Sequence, residues 1–225
     1  RTNIDLRFPF TSWVLASTPM DRFEEGLLSD SIDYNKNRSR LSWYTIEPTL
    51  QDKNSPNNPI KGDVALLSDP RVRQVFTNEL FPQKTTNITD VQLPTFDLTY
   101  YPKDRGPYNY NYNSAELDPA NPGKFNTASA AKKWGGIMRA LDQTDFETGI
   151  IEYIEFWVQD PFLKSPATKG NLVLNLGNVS EDILRDGRRF YENGMPTPTI
   201  PASVDNSAWG RVPVNPIQVT NAFSN

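Results

Sequence analysis

The sequence predicts a mainly β protein: an antiparallel β-sandwich with a few short peripheral helices and long proline-rich loops. Nineteen prolines and a hydrophobic content of 37% in 225 residues are typical of a loop-rich domain rather than a helical bundle. Three stretches of the second half have the texture of strands, and the second and third alternate apolar and polar residues, as strands do when one face covers a core. These stretches are WGGIMRALD (134–142), IEYIEFWVQD (151–160) and GNLVLNLGN (170–178).

We expect three parts along the chain. Residues 1–93 form an extended and helical segment that packs on the sandwich, residues 94–200 hold the sandwich core, and residues 201–225 form a proline-rich tail. Because side chains alternate along a strand, one face of each core strand should point inward. The apolar residues expected on these inward faces are Ile154, Phe156, Val158, Leu172, Leu174 and Leu176.

The elements outside the core strands follow from capping and breaking residues. Strands are expected over residues 10–16 and 40–48, and short helices are expected to start at polar capping residues and to end at proline or glycine. The capping residues are Thr18, Asp69 and Ser180, and the residues that end the second and third helices are Pro82 and Gly187. Residues 94–124, with five tyrosines from Tyr100 to Tyr112, predict a long surface loop. An aromatic binding surface is the alternative for that loop.

The absence of histidine and cysteine restricts the possible chemistry. It excludes a cysteine nucleophile, a Ser-His-Asp triad, a histidine general base, the usual zinc ligands and disulfides. A glycosidase needs two facing carboxylates. Glu152 and Glu155 are three residues apart on one predicted strand, so they point to opposite faces and cannot form that pair. We therefore expect a protein that is not an enzyme.

Charge and hydropathy restrict the possible partners. The net charge of −4 argues against nucleic acid, because phosphate-binding domains usually carry a clustered basic face. The one basic cluster, Arg185, Arg188 and Arg189, is interrupted by Asp186. No apolar run approaches the ~20 residues of a membrane-spanning helix, so no transmembrane segment is expected.

A group of carboxylates in one predicted connection suggests a metal site. Asp142, Asp145 and Glu147 lie together between two predicted strands, and oxygen ligands of this kind suit calcium. Their spacing matches no dedicated calcium loop, and acidic residues in a polar turn are usually only solvated. Calcium is therefore a possible ligand, and no other cofactor is expected.

The predicted strand 151–160 carries the candidate binding surface. Tyr153, Glu155 and Trp157 share one side of its alternation. Together with the following Gly-x-Leu-x-Leu-x-Leu-Gly pattern, this strand resembles the jelly-roll sandwich of carbohydrate-binding modules, in which exposed aromatic side chains stack on a sugar ring. The alternative is that another sheet, or another part of a longer parent protein, covers this face.

Longer segments carry a more specific resemblance. SWVLASTP, RLSWYTIEPTL, VFTNELFPQKTT, LPTFDLTYYPKDRGPYNYN, KKWGGIMRALDQTDFETGIIEYIEFWVQDPF, LNLGNVSEDILRDGRRFYENGMP and WGRVPV occur in this order. These segments are similar to the SprA (also called Sov) family of very large outer-membrane proteins of Bacteroidetes. The motifs run from about residue 12 to 219 and so cover nearly the whole chain. MRALDQTDFETG and GNVSEDILRDGRRFYENG are the most distinctive.

The resemblance implies a function in protein secretion. Members of this family form the translocon of type IX secretion, which gliding motility also needs, and they are not known as enzymes. Since this chain lacks the barrel-strand pattern, it is expected to be a piece of such a protein, a soluble insertion that caps or lines the barrel at the cell surface or the periplasmic face. The partners implied are the parent barrel, PorV-type components and plug-type components. A cell-surface carbohydrate-binding module remains the alternative.

Overall fold

The structure of the protein is a computed structural model. It describes residues 4–84, 91–141, 145–166, 168–187, 204–208 and 210–213, with the backbone alone for 204–207 and 210–213. Asp142, one of the metal candidates, lies outside the described residues. Most of the predicted tail does as well.

The described helices are short and the strands pair two by two. The α-helices are α1 (Pro48–Gln51), α2 (Val64–Leu67), α3 (Thr77–Leu80) and α4 (Thr127–Ala130), and 3-10 helices span Phe10–Ser12, Glu24–Leu27 and Ile32–Asn35. The strands are β1 (Val14–Leu15), β2 (Ser39–Tyr44), β3 (Val75–Phe76), β4 (Gln92–Leu93), β5 (Asp97–Arg105), β6 (Ile137–Met138), β7 (Val204–Ser207) and β8 (Gly210–Pro213). The pairs are β1–β6, β2–β5, β3–β4 and β7–β8, all antiparallel.

The longest of these pairs is formed by β2 and β5. Trp43 lies opposite Leu98, and the hydroxyls of Tyr44 and Thr99 are hydrogen-bonded at 2.9 Å. The strand predicted over 40–48 is thus confirmed at residues 40–44, and Pro48 is the first residue of α1. Aromatic and β-branched residues favour such a ladder because their side chains pack across neighbouring strands.

The predicted fold class agrees with the structure only in its coarse form, a chain with little helix and antiparallel strands. Over the residues described, the chain is low in helix and its strands form small antiparallel sheets. The strand expected over 134–142 is present in its middle as β6, paired with β1. The sandwich expected over 94–200 stays a prediction.

The chain divides into two compact units. The first comprises Arg1–Arg38, Tyr108–Asn113 and Gly136–Asn225, and the second comprises Ser39–Pro107 and Ser114–Gly135. Each unit is therefore assembled from segments that are distant in sequence.

The first unit has a small core that is largely polar. Tyr34, Asn35, Arg38 and Leu184 are all at most 1% exposed. Arg38 donates from Nε to Asn35 Oδ1 at 2.9 Å, and the Thr18 hydroxyl donates to the main-chain oxygen of Tyr34 at 3.0 Å. Burial lowers the pKa of the Arg38 guanidinium to about 10, because a low-dielectric surrounding disfavours its charged form.

The second unit has its core around Phe125, which is fully buried. The Lys133 ammonium lies 4.2 Å from the centroid of the Phe125 ring and 2.6 Å from Glu116 Oε2. Its charge is thereby balanced by a carboxylate and an aromatic face, which is how a buried ammonium is usually tolerated.

The three predicted helices are wrong, because their capping side chains bond elsewhere or close only a local turn. The Thr18 hydroxyl is engaged by Tyr34. Asp69 accepts hydrogen bonds from the main chain and the guanidinium of Arg71, and β3 and α3 follow in place of the long helix. Ser180 accepts from the N–H of Asp182, and bends stand where the helix was expected.

Three further predictions differ from the structure. A 3-10 helix occupies the first half of the strand expected over 10–16, so only its second half forms a strand, β1. The long loop expected over 94–124 is wrong in its first part, because β5 lies there and pairs with β2. Residues 151–160 and 170–178 were both expected to be strands, yet no strand or β-bridge among the described residues includes either stretch.

Candidate functional site

Two stretches of the first unit expose their side chains, and one of them contains the predicted binding surface. We call residues 152–160 the acidic stretch and residues 170–178 the leucine stretch. Every side chain of both is exposed, including the six apolar residues that were expected to face a core. The prediction that those residues point into the interior is therefore wrong for the chain described here. The sequence keeps its period-two pattern, but the described contacts do not show which surface these apolar residues cover.

The acidic stretch is held at both ends by turns. The turn before it is closed by a hydrogen bond of 2.9 Å from Ile151 N–H to Phe146 O, and Ile150 adopts a positive φ of 53° within that turn. At the far end, Asp160 Oδ1 accepts from the N–H of Phe162 at 2.8 Å. These local bonds fix where the stretch begins and ends without engaging its apolar side chains.

The leucine stretch begins close to the end of the acidic stretch. A Cβ atom on Gly170 would lie 3.3 Å from the Phe162 ring, so the connection between the stretches turns back on itself there. Beyond the leucine stretch, Leu184 is fully buried, and Asn35 donates from Nδ2 to the main-chain oxygen of Ile183 at 3.2 Å. The chain is thus anchored again before residue 187.

The predicted binding residues are all exposed. Tyr153 is 65% and Trp157 63% exposed, and Glu155 between them is exposed as well. The three residues occupy alternate positions, so a strand conformation would place two aromatic rings and a carboxylate on one side. Such a surface can stack on a sugar ring or pack on another protein, since both use large exposed aromatic groups.

The remaining alternate positions of the acidic stretch carry a different sequence of chemical groups. Ile154, Phe156 and Val158 alternate there, and the carboxylates of Glu152 and Asp160 lie at the two ends. All five side chains are exposed. The acidic stretch contains no lysine or arginine, and the leucine stretch contains no charged residue. The sequence analysis expected the three apolar residues to face the core and considered Glu152 only as a possible partner of a second carboxylate.

Of the three metal candidates, Asp145 and Glu147 lie in one turn, and Asp142 lies outside the described residues. Asp145 is engaged by its neighbour: its carboxylate accepts from the Thr148 N–H at 3.0 Å and from the Thr148 hydroxyl at 2.6 Å. These hydrogen bonds hold the pKa of the Asp145 carboxyl below its usual value. Glu147 lies in the same turn. No group of three potential ligands occurs among the described residues, and the calcium site stays a prediction.

Comparison with known proteins gave no assignment. No family model matches the chain, and no curated protein matches it either. Among the residues that the structure describes, no helix combines the length and the apolar character needed to cross a membrane.

Proposed function

We propose that this chain is a non-catalytic domain of an outer-membrane protein-secretion translocon, serving type IX secretion and gliding motility. The support from the sequence is the run of distinctive motifs, from SWVLASTP to WGRVPV, that resembles the SprA family. An insertion domain that caps or lines a barrel needs surfaces that pack on that barrel. It needs no catalytic constellation, which agrees with a sequence that has no histidine or cysteine.

The observation that carries the proposal is the exposure of apolar side chains in the acidic and leucine stretches. Val158 is 69% exposed and Leu172 65%, within two stretches that display six alternating apolar residues. Exposed apolar surface of this extent usually marks a protein or membrane interaction site. The partners proposed to cover it are the rest of the translocon barrel and the PorV-type or plug-type components.

The β-sandwich belongs to this proposal. Both stretches have the alternation of strands, and neither is assigned to a strand among the residues that the structure describes. On this view residues 94–200 become a jelly-roll-like sandwich when the parent protein supplies neighbouring strands. The domain would lie in the outer-membrane complex, at the cell surface or the periplasmic face.

A cross-linking experiment in cells tests the proposal. A benzoylphenylalanine residue in place of Val158 should form a cross-link with the barrel or with a PorV-type or plug-type component in the assembled complex. Val64 in α2 is a matched control, because it is a valine of similar exposure, 72%, outside the two stretches. Val158→Lys should reduce secretion and gliding, whereas Val64→Lys should not. Equal cross-linking from both positions, or full function of Val158→Lys, would contradict the proposal.

A carbohydrate-binding module is the second candidate, and the exposure of Tyr153 and Trp157 favours it. The test is a glycan array followed by calorimetry on the chain and on Trp157→Ala. Tyr112→Ala serves as the control, because Tyr112 is exposed to a similar extent, 66%, in another segment. Saturable sugar binding that Trp157→Ala alone abolishes would favour this candidate. Its absence in a folded chain would reject it.

A further inference from the structure

We propose that β2 is an edge through which two copies of this chain pair, with the two β2 strands antiparallel and centred on Ser42. The pairing goes beyond the translocon function and does not depend on it. The ladder between β2 and β5 fixes the strand conformation of β2 and the side of the sheet on which each of its residues lies. A second copy fits this edge because the side chains of β2 complement themselves.

Only one of the two edges of β2 is paired among the residues that the structure describes. The sheet contains β2 and β5 alone, and the N–H of Ser39 donates to the main-chain oxygen of Trp134 at 2.7 Å. Beyond that bond, no described segment other than β5 forms a main-chain hydrogen bond with Arg40–Tyr44. In an antiparallel pair, half of the N–H and C=O groups of each strand point away from the partner strand. Those of Arg40–Tyr44 can therefore accept a further strand.

The outer edge of β5 is protected, whereas that of β2 is not. Pro102 has no N–H, and the main-chain oxygen of Lys103 accepts from the N–H of Phe125 at 2.8 Å. Proline, lysine and a covering segment are common means by which proteins prevent an edge strand from pairing. Residues 40–44 contain no proline or lysine, and their one charged group is a guanidinium that is already bonded to a carboxylate. The sheet therefore offers β2, and not β5, to a partner.

The side chains of β2 match those of a second β2 in one antiparallel register. When Ser42 lies opposite its counterpart in the second copy, Arg40 lies opposite Tyr44. Leu41 then lies opposite Trp43 on the other face of the sheet. The first pair joins a guanidinium to an aromatic ring and the second joins two apolar side chains, both of which are favourable across strands. A two-fold axis repeats each contact, as in an isologous dimer.

The polar pair is accessible and held in place. The Arg40 guanidinium lies 4.0 Å from the centroid of the Tyr101 ring and 2.8 Å from an Asp104 carboxylate oxygen, and the Arg40 side chain is still 49% exposed. Tyr44 is 42% exposed, and its hydroxyl is hydrogen-bonded to Thr99. In the dimer the Tyr44 ring of one copy covers exposed surface of the Arg40 guanidinium of the other. Because both groups are positioned before the copies meet, little side-chain entropy is lost on pairing.

The pairing also extends the apolar face of the sheet. Leu98 lies opposite Trp43 in the β2–β5 ladder, and Tyr100 lies opposite Leu41. Leu98 and Tyr100 are both exposed. A second β2 places its Leu41 beside Trp43, so that an apolar row crosses all four strands of the joined sheet. Sheets of three or more strands with an apolar face are stable where an isolated pair of strands is marginal.

Sedimentation equilibrium of the 225-residue chain tests the inference. A contact of one short strand per copy is small for a protein interface, so the dimer should form only at micromolar concentrations and above. Between about 1 µM and about 300 µM, the mean mass should rise from that of one chain toward that of two. The mass of one chain, 25.5 kDa, at every concentration would overturn the inference.

Opposite substitutions at Ser42 test the register. Because Ser42 faces its own counterpart, Ser42→Lys and Ser42→Glu each place like charges opposite each other and should weaken self-association. An equimolar mixture of the two variants places opposite charges there. The dissociation constant of the mixture should be about three- to tenfold lower than that of either variant alone. Added salt should reduce the difference, because exposed charges are screened over about 8 Å at 0.15 M ionic strength.

Thr99 provides the matched control. It lies opposite Ser42 in the β2–β5 ladder and on the same face of the sheet. In the dimer it is three strand spacings, about 14 Å, from its counterpart. Mixing Thr99→Lys with Thr99→Glu should therefore change the dissociation constant by less than about twofold. An equal effect of mixing at both positions, or no effect at Ser42, would overturn the pairing through β2.

Hydrogen exchange on the unchanged chain gives a second readout that needs no variant to fold. The amides of Arg40–Tyr44 that point away from β5 should exchange more slowly as the protein concentration rises, whereas those of α2 should not change. Concentration-dependent protection that spares β2 would overturn the inference. The cross-links from Val158 test the translocon proposal separately, so either proposal can fail while the other stands.

Discussion

Asn35 donates from its side-chain amide to the main-chain oxygen of Ile183, 148 positions further along the chain, at 3.2 Å. Asn35 is fully buried, and its Oδ1 atom accepts from Arg38 Nε. One side chain thus joins the first buried segment of the chain to the residues that follow the leucine stretch. The same junction includes a hydrogen bond of 3.1 Å from Asp30 N–H to Arg185 O. It anchors the far end of the exposed surface.

Asn35→Ala should therefore destabilise the protein. The variant leaves the Ile183 carbonyl and the Arg38 guanidinium short of a buried partner, and such losses cost about 1–3 kcal/mol. The free energy of unfolding, measured with urea, should fall by that amount. Asn57→Ala, at an exposed asparagine, should change it by less than about 0.5 kcal/mol. An equal effect of the two substitutions would show that the Asn35 contacts contribute little.

The sequence predicted β2 but not the strand that pairs with it. β2 formed where RLSWYTIEP alternates, and it pairs with β5. β5 was missed because its tyrosines and Pro102 lie in a region rich in turn residues, so local composition favoured a loop. Pairing with β2 outweighs that local preference, as tertiary context often does. The ladder is a property of two distant segments and is invisible in either one alone.

The acidic and leucine stretches show what a sequence pattern alone cannot predict. Their alternation predicts an extended chain with two different sides, and among the described residues neither stretch is assigned to a strand. A pattern of side chains indicates that a face should be covered but does not say by what. Capping signals failed for a related reason, because a side chain such as Thr18 can donate to a distant carbonyl as well as to the next turn. Candidate residues on the stretch could be named from sequence; their exposure could not.

The Lys133–Glu116 pair predicts an asymmetric response to substitution. The Lys133 side chain is fully buried, whereas that of Glu116 is 33% exposed. Glu116→Gln leaves a buried ammonium without its carboxylate and should lower the free energy of unfolding by about 1–3 kcal/mol. Lys133→Met keeps the apolar stem on Phe125 and leaves a carboxylate that water can reach, so its loss should be smaller. Urea unfolding of both variants and of the double variant measures these losses. A larger loss of unfolding free energy in Lys133→Met than in Glu116→Gln would contradict the burial argument.

Gly26 and Gly62 form a matched pair for a test of close packing. A Cβ atom on Gly26 would lie 2.9 Å from Met20 Cα and 3.1 Å from the main-chain oxygen of Pro19, and backbone atoms cannot move aside cheaply. Gly26→Ala should lower the free energy of unfolding by about 1–3 kcal/mol. Gly62 has no atom within 4 Å of its Cβ position, so Gly62→Ala should be neutral or slightly stabilising. Similar melting temperatures for the two variants would contradict this local packing.

Stability should also fall in acid, and Glu79 should account for part of the fall. The guanidinium of Arg73 donates to Glu79 at 2.9 Å and the N–H of Phe76 donates to it at 3.0 Å, and these bonds hold the pKa of the Glu79 carboxyl below its usual value of 4.5. A carboxyl whose pKa is lower in the folded state stabilises the fold above its unfolded pKa. That stabilisation is lost as the pH falls through the folded pKa.

The free energy of unfolding of the wild-type protein should therefore decrease between about pH 5 and pH 3, and Glu79→Gln should show a shallower decrease over the same range. The side chains of Glu79 and Arg73 are 35% and 40% exposed, so solvent and salt reduce the effect and the difference in slope will be small. Glu24→Gln, which removes an exposed carboxylate from the 3-10 helix Glu24–Leu27, provides the control and should retain the wild-type slope. Urea unfolding at several pH values measures all three proteins. An identical slope in Glu79→Gln and the wild type would mean that the Arg73 and Phe76 contacts do not stabilise the charged carboxylate in solution.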